Sequence, residues 1–207
     1  MTHVSFERLA AIIAKRGAAS RSLTAIAGPP GSGKSTVSEQ LVDHLNGIEP
    51  GSAALLPMDG YHYDDAVLRE RGLLERKGSP ETFDVLGLIA MLDRLYSNTE
   101  KEIAVPVFDR TIEISRSAAR IIAGHARHVV LEGNYLLLSS GNWAQMHRYY
   151  HTTVMLDVSE KALNERLERR WLHLPEHERE SKINNNDLPN GRLVMSESAS
   201  VEFVLKN

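Results

Sequence analysis

There is no cysteine among the 207 residues, which removes disulfides, thiolate catalysis and Cys-based zinc sites from consideration. No apolar run approaches the roughly 18 residues that a membrane-crossing helix needs; the longest near the start, Leu9 to Ala14, is far shorter. Positive charge is not in excess. Lys and Arg number 24 against 27 Asp and Glu, a formal net charge of −3, which argues against a nucleic-acid partner. Repeats and low-complexity linkers are missing as well. What is present, 42% hydrophobic and 25% charged residues, is the composition of a folded chain, and 1–207 reads as one domain. Arg8 before the first apolar stretch and Ala18-Ala19-Ser20 after it superficially resemble a leader with a cleavage site. Leu9, Ile12 and Ile13 nevertheless recur at helical spacing, closely flanked by Glu7, Lys15 and Arg16. Residues 3–17 therefore predict an amphipathic helix, so that 1–20 is a leading helical segment before a core at 22–207 in a cytoplasmic protein.

Residues 28–36 read Gly-Pro-Pro-Gly-Ser-Gly-Lys-Ser-Thr, the G-x-x-x-x-G-K-[S/T] spacing with Gly28, Gly33, Lys34 and Ser35 in the fixed places. Gly31 and Gly33 free the backbone to turn successive N–H groups inward around a phosphate chain. Lys34 then supplies a point charge for the β- and γ-phosphates, and Ser35 a hydroxyl for Mg²⁺. The flanks fit. The short apolar run Ser22–Ala27 precedes the loop, and a helical pattern of Val37, Leu41, Val42 and Leu45, closed by Gly47, comes after it. Strand, glycine loop and helix together are the context the motif requires, so Gly28, Pro29, Pro30, Gly31, Ser32, Gly33, Lys34, Ser35 and Thr36 are expected to hold a nucleotide.

Further strands are expected at 52–58, 103–108, 129–131, 153–156 and 201–205, and helices to about 46 and at 64–77, 85–97 and 159–172. Pro57 suggests an edge position or a strand exit. Residues 112–114 paired with 119–122 read as an excursion from the main sheet, 184–187 as a loop, and a short helix near Pro189. The alternation predicts an α/β fold, a parallel core sheet with helices on both faces.

Ligands of such sheets lie beyond the carboxyl ends of the strands. Asp59 stands just past the second core strand, placed to take a proton from a substrate hydroxyl. Glu132 stands just past the third, where it could bind Mg²⁺ directly or through water, with Ser35 and Asp59 as the other candidate metal ligands. Structural alternatives are a turn for Asp59-Gly60 and a cap or buried ion pair for Glu132. Arg166, Arg169 and Arg170 crowd one helix just past a strand, suited to cover a transferring phosphoryl group, with Arg170 first; a solvent face paired with Glu165 and Glu168 is the plainer reading. The histidines at 125, 128, 147, 151, 173 and 177 lack a third metal ligand and read as exposed or capping groups. His62, beside Asp59, either orients substrate or lines the loop.

The segments Gly28–Thr36, Met58-Asp59-Gly60-Tyr61-His62, 78–84, 105–110 and Leu131-Glu132-Gly133-Asn134-Tyr135 together resemble the uridine kinase, pantothenate kinase and phosphoribulokinase group of P-loop kinases, from about residue 20 onward. Segments 132–138 and 186–194 look most like a bacterial subgroup called fructose transport system kinase. The resemblance implies ATP and Mg²⁺ as cofactors and phosphorylation of a small-molecule hydroxyl on a sugar, nucleoside or pantothenate-like alcohol. It implies an acceptor-activating carboxylate at Asp59, a phosphate-stabilising arginine at Arg170, and acceptor contacts from Asp109, Arg110, Tyr61, His62, Phe83 and Tyr135. Asn186 to Gly191 is implied beside the adenine. The alternatives are a nucleoside monophosphate kinase, a GTPase switch and an ATP-sensing protein with weak hydrolysis. The first would carry Asp-Gly-Phe-Pro-Arg after a later strand, and the second needs Asn-Lys-x-Asp; the chain contains neither.

Overall fold

The computed structural model describes residues 1–207. In chain order the elements are β1 (Thr2–Val4), α1 (Phe6–Arg16), β2 (Ser22–Ala27), α2 (Lys34–Ile48), β3 (Ala53–Pro57), α3 (Asp65–Glu70), α4 (Val85–Ser97), β4 (Glu102–Asp109), β5 (Ile114–Ala123), β6 (His128–Glu132), α5 (Gly141–Ala144), β7 (Thr152–Asp157), α6 (Glu160–Arg170), α7 (Glu176–Lys182), α8 (Leu188–Glu197) and β8 (Phe203–Lys206). Six strands form one parallel sheet in the order β1-β8-β7-β2-β6-β3.

Both faces of the sheet are buried, which is why its strands read as nearly continuous apolar runs. Successive residues serve opposite faces. Leu23, Ala25, Leu56, Val129, Leu131 and Met155 pack with Leu88, Leu92 and Leu95 of α4 and Val194 of α8. Ile26, Leu55, Val130, Val154 and Leu156 pack instead with Leu9 and Ile13 of α1 and Val37, Leu41 and Leu45 of α2. The period-2 alternation therefore sorts one set of strands into two cores.

Several boundaries differ from the sequence-based expectation. The leading segment is not helical from residue 3: Thr2–Val4 pair in parallel with Phe203–Leu205, and Ser5 caps α1 by accepting from the Arg8 N–H at 3.3 Å. The expected helix at 64–77 stops at Glu70, where Gly72 turns the chain with φ +67°. Within 102–123 the strands pair with each other as the antiparallel hairpin β4–β5, with a bulge between Val105 and Val107, rather than 112–114 with 119–122. Residues 183–187 are not a loop but a wide π-helical turn joining α7 to α8.

The hairpin is fastened beside the sheet's β3 edge. Arg120 Nη1 donates to the Leu55 carbonyl at 3.0 Å, and buried Arg21 donates to the carbonyls of Ala126, Leu95, Ala123 and Gly124. Four acceptors satisfy that buried cation, which would otherwise be costly.

Candidate active site

Register brings the chemistry together. Ile26 and Pro57 both lie opposite Glu132, so β2, β3 and β6 end at one level and release the phosphate loop, Asp59 and Glu132 side by side. A cavity of about 420 Å³ opens there, lined mainly by polar groups.

The loop has the conformation its sequence demands. Gly31 and Gly33 sit at φ +79° and +85°, where a side chain would be strained. Lys34 begins α2, whose N-terminus has no side-chain cap, so its first N–H groups remain free for an anion. Pro30, Gly31, Gly33, Lys34, Ser35 and Thr36 line the cavity; Gly28, Pro29 and Ser32 lie buried behind it. Arg166 is behind it too. Its Nη1 donates to the Gly31 and Ser32 carbonyls at 3.4 and 3.1 Å, holding the loop from outside.

Lys34 is buried and donates to the Pro29 carbonyl at 3.1 Å. Burial lowers its pKa to about 8, against the pull of Glu132 and Asp59. Ser35 Oγ donates to Glu132 Oε1 at 3.2 Å. Burial, then the neighbouring Asp59 charge, raises the Glu132 pKa. For Asp59, burial pushes upward, but His62, Arg110, Lys34 and Arg170 outweigh it and hold the carboxyl below its ordinary value.

Asp59 sits in a 3-10 turn, Met58–Tyr61, directly after β3. Its Oδ2 accepts from Arg110 Nη2 at 2.5 Å, and His62 Nδ1 donates to its main-chain carbonyl at 2.8 Å. His62 packs at a tilt of 44° and 41° against Phe83 and Phe108, with centroids 4.0 and 4.7 Å apart, giving the cavity an aromatic wall. The turn has almost no slack: a Cβ on Gly133, at the end of β6, would stand 2.4 Å from Met58 Cβ. Gly133→Ala should therefore push the Asp59 turn out of place, costing about 1–3 kcal/mol by overpacking. The expected readout is a melting temperature lower by several degrees together with reduced turnover per folded molecule; an unchanged melting temperature would show that the turn yields freely.

Asp59, His62, Phe83, Arg110, Glu132, Arg170 and Asn186 all face the cavity, as the sequence suggested. Three expected acceptor contacts do not. The Tyr61 side chain points into the core, with its hydroxyl unpartnered. Tyr135 is fully buried, donating to the Gly78 carbonyl at 2.6 Å and packing edge-on to Phe83 and Trp143. Asp109 Oδ1 accepts from the Thr111 N–H and hydroxyl at 3.1 and 2.6 Å, shaping the hairpin tip that presents Arg110. Asp187, within the segment 186–191 expected beside the adenine, lines the cavity too, while sequence reasoning missed Lys77, Phe108 and Trp171. Lys77 precedes a recognised glycine turn, and Trp171 adjoins a residue already singled out; adjacency was the available signal.

No helix is long and apolar enough to cross a membrane. A family model described as AAA domain matches residues 25–187. The crystal structure of a protein provisionally named fructose transport system kinase, from Silicibacter sp. TM1040, is 33% identical, covers 95% of this chain and 98% of its own, and superposes with a TM-score of 0.84. C227.14 of Schizosaccharomyces pombe, provisionally named a uridine kinase, is 28% identical over 200 residues, covering 90% of this chain and 83% of that protein. YFH7 from Saccharomyces cerevisiae, 20% identical with a TM-score of 0.86 over 99% of both chains, shares the fold. With the family model spanning residues 25–187, the chain belongs to the AAA domain family, and the 33% identical relative that matches it over nearly its whole length is a protein named as a kinase.

Proposed function

We propose that residues 1–207 form one kinase domain that transfers the γ-phosphate of ATP to a hydroxyl of a small molecule. The observation that carries this reading is the common level of three strand ends, which gathers Lys34, Asp59 and Glu132 around one cavity. A phosphate-binding loop alone would suit any nucleotide-binding protein. An ionised carboxylate facing that loop, backed by an aromatic wall, suits transfer to an acceptor.

In this reading the loop amides and Lys34 bind the terminal phosphates. Asp59, ionised because four positive or polarised neighbours keep its pKa low, aligns the acceptor hydroxyl and takes its proton as the new P–O bond forms. The proton leaves on Asp59, the γ-phosphoryl moves to the acceptor oxygen, and ADP is the leaving group. Arg170 stabilises the charge spread over the phosphoryl oxygens.

Ser35 and Glu132 fit a magnesium ion. They offer paired oxygen donors, and the carboxylate, whose pKa burial and then the Asp59 charge raise, would be held ionised by a bound cation. No cluster of three or more ligating side chains exists, which agrees with an ion that arrives on the nucleotide and takes only one or two protein oxygens. When bound, it supplies neutralisation of phosphate charge.

The test is ADP release measured across sugars, nucleosides and pantothenate-like alcohols at saturating ATP. At least one acceptor should raise ADP formation well above the acceptor-free background. Nucleotide binding without stimulation by any acceptor would favour the ATP-sensing alternative. Stimulation by nucleoside monophosphates alone would move the protein to that kinase class.

A further inference from the structure

We propose that Trp171 and Asp187 are positioning residues that aim Arg170 at the transferring phosphoryl group, an inference that rests on the kinase reading above. Arg170 ends α6 and lines the cavity. Two other cations of the cavity wall are tied to carboxylates, Arg110 to Asp59 and Lys77 to Asp65 and Glu113. Arg170 is held differently: its guanidinium carbon lies 5.0 Å from the centroid of the Trp171 ring. A ring face attracts a guanidinium without consuming its in-plane N–H groups. An arm waiting for phosphoryl oxygens needs that arrangement, since it is oriented while its donors stay free.

The ring has its own anchor. Trp171 Nε1 donates to Asp187 Oδ2 at 2.6 Å, and Lys182 Nζ lies 5.8 Å from the ring centroid. Asp187 is 7% exposed. Burial raises its pKa, while the Trp171 hydrogen bond and the Arg170 charge pull the other way. Asp187 meets Trp171, sixteen residues earlier, because the π-helical turn 183–187 inserts an extra residue between α7 and α8. Such an insertion rotates the succeeding turn about the helix axis, and these turns gather at functional sites. The turn is pinned on its other flank. Asn186 Nδ2 donates to the Lys77 carbonyl and Asn190 Nδ2 to Asn186 Oδ1, each at 3.0 Å. The line Asp187–Trp171–Arg170 thus fixes an otherwise exposed arginine over the cavity.

A purely structural role, holding α6 against α7, would lower stability and leave the chemistry of the folded protein alone. Calorimetric binding of Mg-ADP with and without aluminium fluoride separates the two, because the planar fluoride complex mimics the phosphoryl group in flight and needs no identified acceptor. Asp187→Ala and Trp171→Leu should bind ADP as the parent does and bind ADP with aluminium fluoride about 10–10²-fold more weakly, the scale of a displaced catalytic group. Asp187→Asn, which keeps an acceptor for the indole N–H, should restore most of that loss, whereas Trp171→Phe, which keeps a ring face but breaks the bond to Asp187, should lose about as much as Asp187→Ala. In an Arg170→Ala background, Asp187→Ala should have no further effect.

Equal weakening of both ligands would make Asp187 a nucleotide contact and overturn the proposal. Unchanged binding of both, or losses that add to those of Arg170→Ala, would overturn it as well. If Asp187→Ala does not fold, Trp171→Leu and Trp171→Phe as the losing variants and Asp187→Asn as the rescuing one decide by the same criteria. A parent protein that gains nothing from aluminium fluoride would overturn the kinase reading and this inference together. A parent that gains while Asp187→Ala gains equally would overturn this inference alone.

Discussion

Asp59→Asn is expected to bind ATP as the parent does and to lose kcat by about 10²–10⁴-fold, the usual worth of a general base. The argument begins with shape. Asn matches Asp in size, so the 3-10 turn after β3 should stand, and its side-chain oxygen can still accept from Arg110. What disappears is the basic oxygen. In the parent, Arg110 occupies Oδ2, which leaves Oδ1 for an incoming hydroxyl. In the proposed reading the loop after β2, on a different strand, holds the nucleotide, so its affinity should be spared. Magnesium dependence should not weaken either. After burial, the Asp59 charge is the next cause of the raised Glu132 pKa, and removing it favours the Glu132 carboxylate. Steady-state kcat on the acceptor found by screening, beside a calorimetric ATP affinity, checks both halves. Unchanged phosphoryl transfer would remove Asp59 from the chemistry.

The legible parts of this molecule were those written in short stretches of chain. The loop 28–36 announces itself because a phosphate cradle needs glycines, a lysine and a hydroxyl at fixed offsets. Asp59 and Glu132 were found because an acid just past a buried strand must emerge at the ligand edge of a parallel sheet. What escaped depends on distant partners. Thr2–Val4 has no apolar run, and its strand exists because Phe203–Leu205 offers a ladder about 200 residues away. Three asparagines at 184–186 read as a loop by local preference, but hydrogen bonds to Lys77 and between Asn186 and Asn190 hold them in a helical turn. Tyr61 was misjudged for a finer reason. A tight turn sends Asp59 toward the cavity and the ring two residues on into the core, a choice set by backbone dihedrals rather than composition. Glu132 and Tyr135 part in the same way, three residues apart.

Arg170→Ala is expected to lower kcat by about 10³-fold or more, the scale of an arginine that stabilises a transferring phosphoryl group, with little change in ATP affinity. Its neighbours make the comparison sharp. Arg166 and Arg170 are one turn apart and share a helix face, so spacing alone cannot separate them. Their contacts do. Arg166 grips the main-chain carbonyls of Gly31 and Ser32, so Arg166→Ala should loosen the loop and raise the ATP KM with a smaller effect on kcat. Arg169 is exposed and outside the cavity, so Arg169→Ala should leave both constants near the parent's. The phosphoryl oxygens are charged already in bound ATP. They splay into a plane, and charge passes to the leaving oxygen, only as the bond to ADP breaks, which is why a donor aimed at that geometry acts on kcat rather than on ground-state binding. Weakened ATP binding with normal kcat in Arg170→Ala would make it a second nucleotide clamp, and the chemistry would then need its cation from Arg110 or Lys77 instead.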